Sequence, residues 1–353
     1  MTEIIKKIIE AGTKAPSGDN CQPWRFKVAG NKIEVYNVPE RDQSLYNFRQ
    51  NASLVALGGL IENMAIMSFD LGYTLQISLL PDADETNLVA RCILEPVNEK
   101  AASFLGNYIK QRTTNRKPYE DLPLTNDQIN NILSITKELT GSEVRLAAKS
   151  EDRQALSNLL SRNEKIVLEN KGLHNFLFNH IRWTEDEEKQ KKDGLYIKTL
   201  ELGPPQTVGF RLFRYWPVAK ILNSLGVANK VAAENAGIYY RSAAFAAFII
   251  PNSTSIDFLN AGRLMQRVWL KITALGLSAQ PLTGITFLHQ RLLAGEDAMF
   301  TGEQKEIIKN SYQGVADIFG AKSGAIATIL RLGRGGAPSA TSSRLEPEIA
   351  LVD

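Results

Sequence analysis

The chain has 353 residues, 44% hydrophobic and 22% charged, a composition that suits one large or two ordinary globular domains. With 41 Lys and Arg against 38 Asp and Glu the net charge is only +3, which excludes a strongly polybasic nucleic-acid binder. Two cysteines, Cys21 and Cys92, make neither a disulfide framework nor a zinc cluster, so a reducing, cytoplasmic compartment is expected.

In chain order, residues 3–14 carry Ile4, Ile5, Ile8 and Ile9 on one face of a short amphipathic helix. This start alternates charge with apolar pairs and does not read as a signal peptide. A loop, Ala15 to Pro23, precedes a hairpin of Trp24–Val28 and Lys32–Tyr36 turning at Gly30-Asn31. Asn51–Leu71 reads as a long helix closed by Gly72, with strands at Thr74–Leu80 and Leu88–Glu95. Its apolar run, Ala52 to Phe69, is broken by Glu62 and Asn63, which predicts a buried helix rather than a membrane span.

That helix is echoed later in the chain. At a constant offset of 204, Gly58, Leu71 and Gly72 match Gly262, Leu275 and Gly276, and Leu60, Ile61, Met64 and Ile66 match Leu264, Met265, Val268 and Leu270. The repeat predicts two related units, 1–105 and 106–353, that pack their long helices together. Between the echoes, Ala101–Ile109, Thr125–Lys137 and residues 150–183 read as helical. Thr184 to Glu187 forms a capping box, and Glu185–Lys189, Glu187–Lys191 and Glu188–Lys192 are well-spaced i,i+4 pairs on a solvated face. Residues 184–217 are expected to be an insertion. The aromatic residues in or beside it (Trp183, Tyr196, Phe210, Phe213, Tyr215 and Trp216) either form a small core or fold over a ligand as a lid. Ala243–Ile250 and Ile326–Leu332 have strand length, and residues 334–353 form either a loose tail or an extended arm.

No GxGxxG, GxxxxGK[ST] or GxSxG motif is present. His174, His180 and His289 lack ligand spacing, and Cys21 has no base nearby in sequence. What remains is amide- and phosphate-type chemistry. Arg112, Thr114 and Arg116 alternate along an extended segment, placing two guanidinium forks and a hydroxyl on one side. Pro16-Ser17-Gly18-Asp19-Asn20-Cys21-Gln22 offers a small, closely approachable surface with amide hydrogen bonds, suited to a flat heterocycle or to a plain structural turn.

These residues carry a resemblance. Ala15-Pro16-Ser17…Asn20…Gln22-Pro23-Trp24-Arg25-Phe26 resembles the APS-x-x-N-x-QPW-x-F loop of the FMN-dependent nitroreductase family. Arg112 to Lys117 resembles its R-x-S-x-[RK] segment, Ala274-Leu275-Gly276-Leu277…Pro281-Leu282-Thr283-Gly284 its LGL…P-x-x-G segment, and Ser343-Arg344-Leu345 its basic C-terminal arm. Here the loop precedes the Arg segment, the reverse of the usual order. With the repeat, this resembles the double-length, Acg-type branch, in which one chain imitates the usual homodimer.

The resemblance implies an α+β fold of mixed, mainly antiparallel sheets flanked by helices, with two long helices at the centre. It implies one FMN per chain and NAD(P)H as co-substrate, with ping-pong hydride transfer to a small-molecule electron acceptor such as a quinone or nitroaromatic. By the same resemblance, Arg112 and Arg344 hold the phosphate, and Thr114 and Arg116 serve phosphate, ribityl chain or pyrimidine edge. Pro16, Ser17, Gly18, Asn20 and Gln22 line the ring, and Pro281, Leu282, Thr283 and Gly284 present backbone to it. No catalytic side chain is needed, because the cofactor supplies the chemistry. No metal, nucleic acid or membrane partner is expected, and a monomer imitating a dimer is the simplest assembly. The alternative is a flavin-sequestering or sensor protein whose lid stays closed.

Overall fold

The computed structural model describes residues 2–97 and 103–352. Among them eleven strands form three sheets. The first four are β1 Trp24–Ala29, β2 Lys32–Asn37, β3 Tyr73–Leu79 and β4 Leu88–Pro96. Then come β5 Glu143–Ala147, β6 Ile181–Arg182, β7 Leu195–Tyr196, β8 Ala244–Ile250, β9 Ser278–Pro281, β10 Ala325–Gly333 and β11 Ile349–Leu351. Strand order is β11-β1-β2-β4-β3 in one large sheet and β5-β8-β10-β9 in the other. All pairings in these two sheets are antiparallel except β1 with β11.

The two sheets share one connectivity. Each begins with two paired strands, inserts a 20-residue helix (Asn51–Asp70 or Ser255–Ala274), and returns with two more strands in swapped spatial order. Both helices end where a glycine takes positive φ, Gly72 at +85° and Gly276 at +69°, a conformation costly for any residue with a Cβ. β1 alternates buried Trp24, Phe26 and Val28 with exposed Arg25 and Lys27, whereas β8 is buried at every position and lies inside its sheet.

The two 20-residue helices pack on each other at the centre of the main core, which also takes side chains from both large sheets. Their contact exchanges equivalent positions. A Cβ on Gly58 would lie 2.1 Å from the Leu259 carbonyl, and one on Gly262 would lie 2.0 Å from the Val55 carbonyl. Positions 55 and 259 are themselves 204 apart. Polar pairs follow the same exchange: Gln266 Nε2 donates to Asn63 Oδ1 at 2.7 Å, and Arg267 Nε donates to Glu62 Oε1 at 2.6 Å. Glu62 is fully buried and also takes Arg263 Nε at 3.0 Å. A carboxylate so enclosed is tolerable only because two guanidiniums meet it. The stretch Phe48–Asp70 is long and apolar enough to cross a membrane, yet 78% of its apolar window is buried against the rest of the protein.

Several local expectations are corrected. The described part of Ala101–Ile109 holds only a 3-10 turn, Gly106–Tyr108; residues 101 and 102 lie outside the described residues. Asp70 takes the Ser103 N–H there and crowds Gly106, so the chain bends instead of continuing as helix. Residues 150–183 form three helices, Ser150–Leu160, Arg162–Glu169 and Lys171–His180, the last capped when Asn170 Oδ1 accepts from Leu173 N. The capping box at Thr184 forms, and so does the Glu185–Lys189 pair at 2.5 Å. The other two pairs do not. Glu187 closes the cap instead, Glu188 turns inward, and Lys192 sits at φ +54° near Glu346. Residues beyond Gly333 are an extended arm that ends as β11, parallel to β1 on the opposite sheet.

Candidate functional site

The segment Thr13–Gln22 follows the first helix and is tightly wound. Asp19, Asn20 and Gln22 all hold positive φ, at 45°, 57° and 51°. For residues with a Cβ this is strain, and the surroundings must over-determine it. They do: Ser17 Oγ accepts from Gln22 N at 3.0 Å, and Gln22 Oε1 accepts from Leu345 N at 2.8 Å. Gln22 Nε2 donates to the Lys192 carbonyl at 2.9 Å, and Asn20 Nδ2 donates to the Ser343 carbonyl at 3.1 Å. The amides of Asn20 and Gln22 therefore tie loop, arm and insertion together. That occupies side chains expected to line a ligand.

Arg344 is delivered by the arm and Arg112 by the turn after Tyr108, and both reach one short stretch of backbone. Arg344 donates to the Thr13 carbonyl at 3.2 Å and the Ala15 carbonyl at 3.4 Å, and Arg112 donates to the Lys14 carbonyl between them at 2.9 Å. Arg344 also donates to Asn20 Oδ1 at 2.7 Å. The Arg112 guanidinium lies 4.4 Å from the Trp269 ring centre, and its Nε and Nη1 are buried without a partner. Burial lowers its pKa to about 9, and the charge of Arg344 adds to that effect. Burial likewise brings Arg344 to about 10, opposed by Glu188. Glu188 is buried and accepts from Ser343 N at 2.5 Å. Two enclosed cations on three consecutive carbonyls, with donors to spare, make a site that favours an anion.

Farther in, Thr114 bridges Ala279 in parallel register, so the Arg112–Arg116 segment runs beside β9 and toward Pro281 to Gly284. Pro281 pairs with Leu330, and Leu282 N donates to the Ile329 carbonyl. Thr283 and Gly284 open the next helix, and a Cβ on Gly284 would lie 2.0 Å from Asn163 Oδ1. Arg116 Nη1 donates to the Thr199 carbonyl at 3.1 Å. Arg116, Asp19, Tyr46 and Glu164 are all half-buried beside this segment.

The electrostatics of this region are unusual. Burial, then the nearby Asp42 carboxylate, raises Asp19 to about 6, with His180 and Arg116 opposing. Burial raises Glu164 to about 7; Tyr239 donates to its Oε1 at 2.7 Å, and its Oε2 is buried without a partner. Sequence reasoning missed Glu164, Tyr239, Asn163, Tyr46 and Trp269. Each sits in an ordinary helical or loop pattern, and only tertiary contact distinguishes it.

The insertion borders this site with backbone, through the Lys192 and Thr199 carbonyls. Its aromatics turn elsewhere: Trp183, Phe210, Phe213 and Trp216 pack with Leu168, Phe178 and Ala228 into a separate small core, and Tyr215 is exposed. That core draws on residues well outside 184–217. His174 lies fully buried in it, with Nε2 at 2.8 Å from the Phe213 carbonyl.

No family model matches the chain. Among curated proteins it is similar to an uncharacterized protein of Mycobacterium tuberculosis (strain CDC 1551 / Oshkosh), 22% identical over 287 residues, covering 80% of this chain and 39% of that protein. A protein named "Putative NAD(P)H nitroreductase" from the same strain is 23% identical over 128 residues, 36% of this chain and 37% of its own length. The chain thus spans about two fifths of the length of these two relatives. A further M. tuberculosis protein of that name, designated acg, is 24% identical over 293 residues, 82% of this chain and 82% of its own length. The nitroreductase resemblance carried by the four motifs is therefore also a resemblance along most of the chain. Among solved structures, the FMN-dependent nitroreductase of Mycobacterium smegmatis in complex with NADPH aligns at a TM-score of 0.38 and 13% identity, covering 65% of this chain and 86% of that one.

Proposed function

We propose that this relative of the nitroreductases is an FMN-binding oxidoreductase that passes reducing equivalents from NAD(P)H to a small electron acceptor. The observation that carries the reading is the pair of enclosed guanidiniums, Arg112 and Arg344, brought together from more than 200 residues apart with Arg112 Nε and Nη1 unsatisfied. A phosphate dianion meets that demand. In this reading Arg112 and Arg344 hold the phosphate, and Thr114 and Arg116 serve the polar part of the cofactor. Pro16, Ser17, Gly18 and the Pro281–Gly284 backbone border its ring. Asn20 and Gln22 act at one remove, by fixing the arm that carries Arg344.

Bound FMN would supply hydride acceptance and donation, which the side chains do not provide. The protein's own contribution is orientation, exclusion of water and a positive field. Quinones and nitroaromatics, alternating with NAD(P)H in a ping-pong cycle, are the acceptor classes proposed, with one flavin per chain. A single chain supplies both sides of the site in this reading, which suits a monomer imitating a dimer.

A second reading is sequestration or sensing beneath a closed cover. It is favoured by the insertion's Lys192 and Thr199 carbonyls, which are bonded to Gln22 and Arg116 beside the site. One experiment separates the two. The protein is loaded with FMN and mixed anaerobically with NADPH or NADH while the flavin absorbance is followed. Bleaching within seconds, reversed by a quinone, supports the oxidoreductase; reduction by dithionite alone supports the cover. Failure to bind FMN at micromolar concentration overturns both.

A further inference from the structure

The helices Pro204–Phe213 and Trp216–Ser224 have two apolar faces. One face, with Phe210, Phe213, Trp216, Ala219 and Leu222, packs into the insertion's small core. The other is left in solvent. Val208 and Leu212 are one helical turn apart, Ile221 and Leu225 likewise, and Tyr215 lies at the joint between the two helices. These five are 51–75% exposed and are five of the fourteen large exposed hydrophobics among the described residues. Both helices bury their inner faces in one core, so both outer faces point away from it. Isolated exposed apolar residues are ordinary, but such a concentration marks a binding surface.

The charge around this surface selects its occupant. Residues 202–233 hold Arg211, Arg214, Lys220 and Lys230 and no Asp or Glu, although the whole chain carries only +3. None of the four makes an ion pair among the described residues; Arg214 lies between the Tyr215 ring at 4.7 Å and the Trp183 ring at 5.9 Å, while Arg211 sits over Trp183 at 5.7 Å, beside a cavity that Glu185 also lines. A second copy docked on the same face would set four cations against four. An anionic surface relieves that charge and accepts the apolar side chains.

We propose that this double-helical face docks the protein peripherally on an anionic lipid bilayer, with Leu212, Tyr215, Ile221 and Leu225 entering the interface and the arginines and lysines at the headgroups. The inference does not depend on FMN binding. It departs from the expectation that no membrane takes part, because a near-balanced chain can still concentrate cations locally.

The test is flotation of the full chain with phosphatidylglycerol/phosphatidylcholine vesicles and with pure phosphatidylcholine vesicles. Binding is expected to the anionic vesicles only, and to weaken as salt rises. Leu212→Glu/Leu225→Glu should reduce the bound fraction by about tenfold or more with unchanged circular dichroism, since both side chains are already in water. Arg211→Gln/Arg214→Gln should weaken binding and flatten its salt dependence. Equal binding to both vesicle types, or no binding to either, overturns the proposal. So does a dimer that Leu212→Glu/Leu225→Glu converts to monomer, which would give the face to a second copy.

Discussion

Replacing Gly58 with alanine tests the helix crossing at the centre of the molecule. The added Cβ would stand 2.1 Å from the Leu259 carbonyl, against an ordinary contact of 3.4 Å or more. The helices must therefore separate by roughly 1.3 Å, and a gap of 0.5–1 Å already forfeits a quarter to a half of a contact's dispersion energy. Alanine returns about 1 kcal/mol through helix propensity. With an overpacking cost of about 3 kcal/mol, the upper end of the usual range, the net loss is about 2 kcal/mol. Gly262→Ala should cost about the same, because its Cβ meets the equivalent carbonyl of Val55 at 2.0 Å. The double variant should fall short of the sum by about 1 kcal/mol or more, since one widened gap serves both methyls. Gly59 provides the control: its Cβ would meet Gln266 Cβ at an ordinary 3.6 Å, so Gly59→Ala should be neutral or slightly stabilising. Urea denaturation of the four variants decides it. If Gly58→Ala proves as harmless as Gly59→Ala, or if the two crossing substitutions add fully, the reciprocal contact is wrong.

Arg112→Ala should weaken FMN binding by about 10- to 100-fold while leaving riboflavin affinity unchanged, because riboflavin has no phosphate; fluorescence titration of both ligands reads the difference. Glu62→Ala should cost about 3 kcal/mol in chemical denaturation, since Arg263 and Arg267 would lose their buried carboxylate. Glu164 titrates near 7 in the fold against an ordinary 4.5, so the folded state holds more protons than the unfolded state between those values. Its contribution is therefore fully present below about 4.5 and is lost as pH rises through about 7, by about 2 kcal/mol after allowing for its partial accessibility. Glu164→Gln should remove that part of the pH dependence, as urea midpoints at pH 5 and pH 8 would report.

The helix repeat was legible because its glycines, Gly58 and Gly262, sit where two backbones touch, and a backbone contact constrains residue type directly. The loop at 15–24 and the arginines at 112 and 344 were legible through their motifs, and the structure brings Arg112 and Arg344 to adjacent carbonyls. What each loop side chain does was not legible. Asn20 and Gln22 bond to backbone groups some 170 and 320 residues away, a pairing that no local pattern encodes. Glu188 looked like one half of a surface pair by spacing, yet it is drawn inside because the Ser343 amide needs an acceptor. Glu164 is ordinary in sequence and becomes distinctive only when Tyr239 donates to one of its oxygens and burial strands the other.

The arm that lays β11 along β1 also imposes an order on biosynthesis. The loop at 13–22 emerges from the ribosome more than 300 residues before Arg344, and until the arm arrives two of its strained positions, Asn20 and Gln22, lack the strap that holds them. A nascent chain that has paired β1 to β4 thus holds the loop but neither β11 nor the guanidinium of Arg344. A ribosome stalled before residue 344 would present that loop without the strap that fixes it.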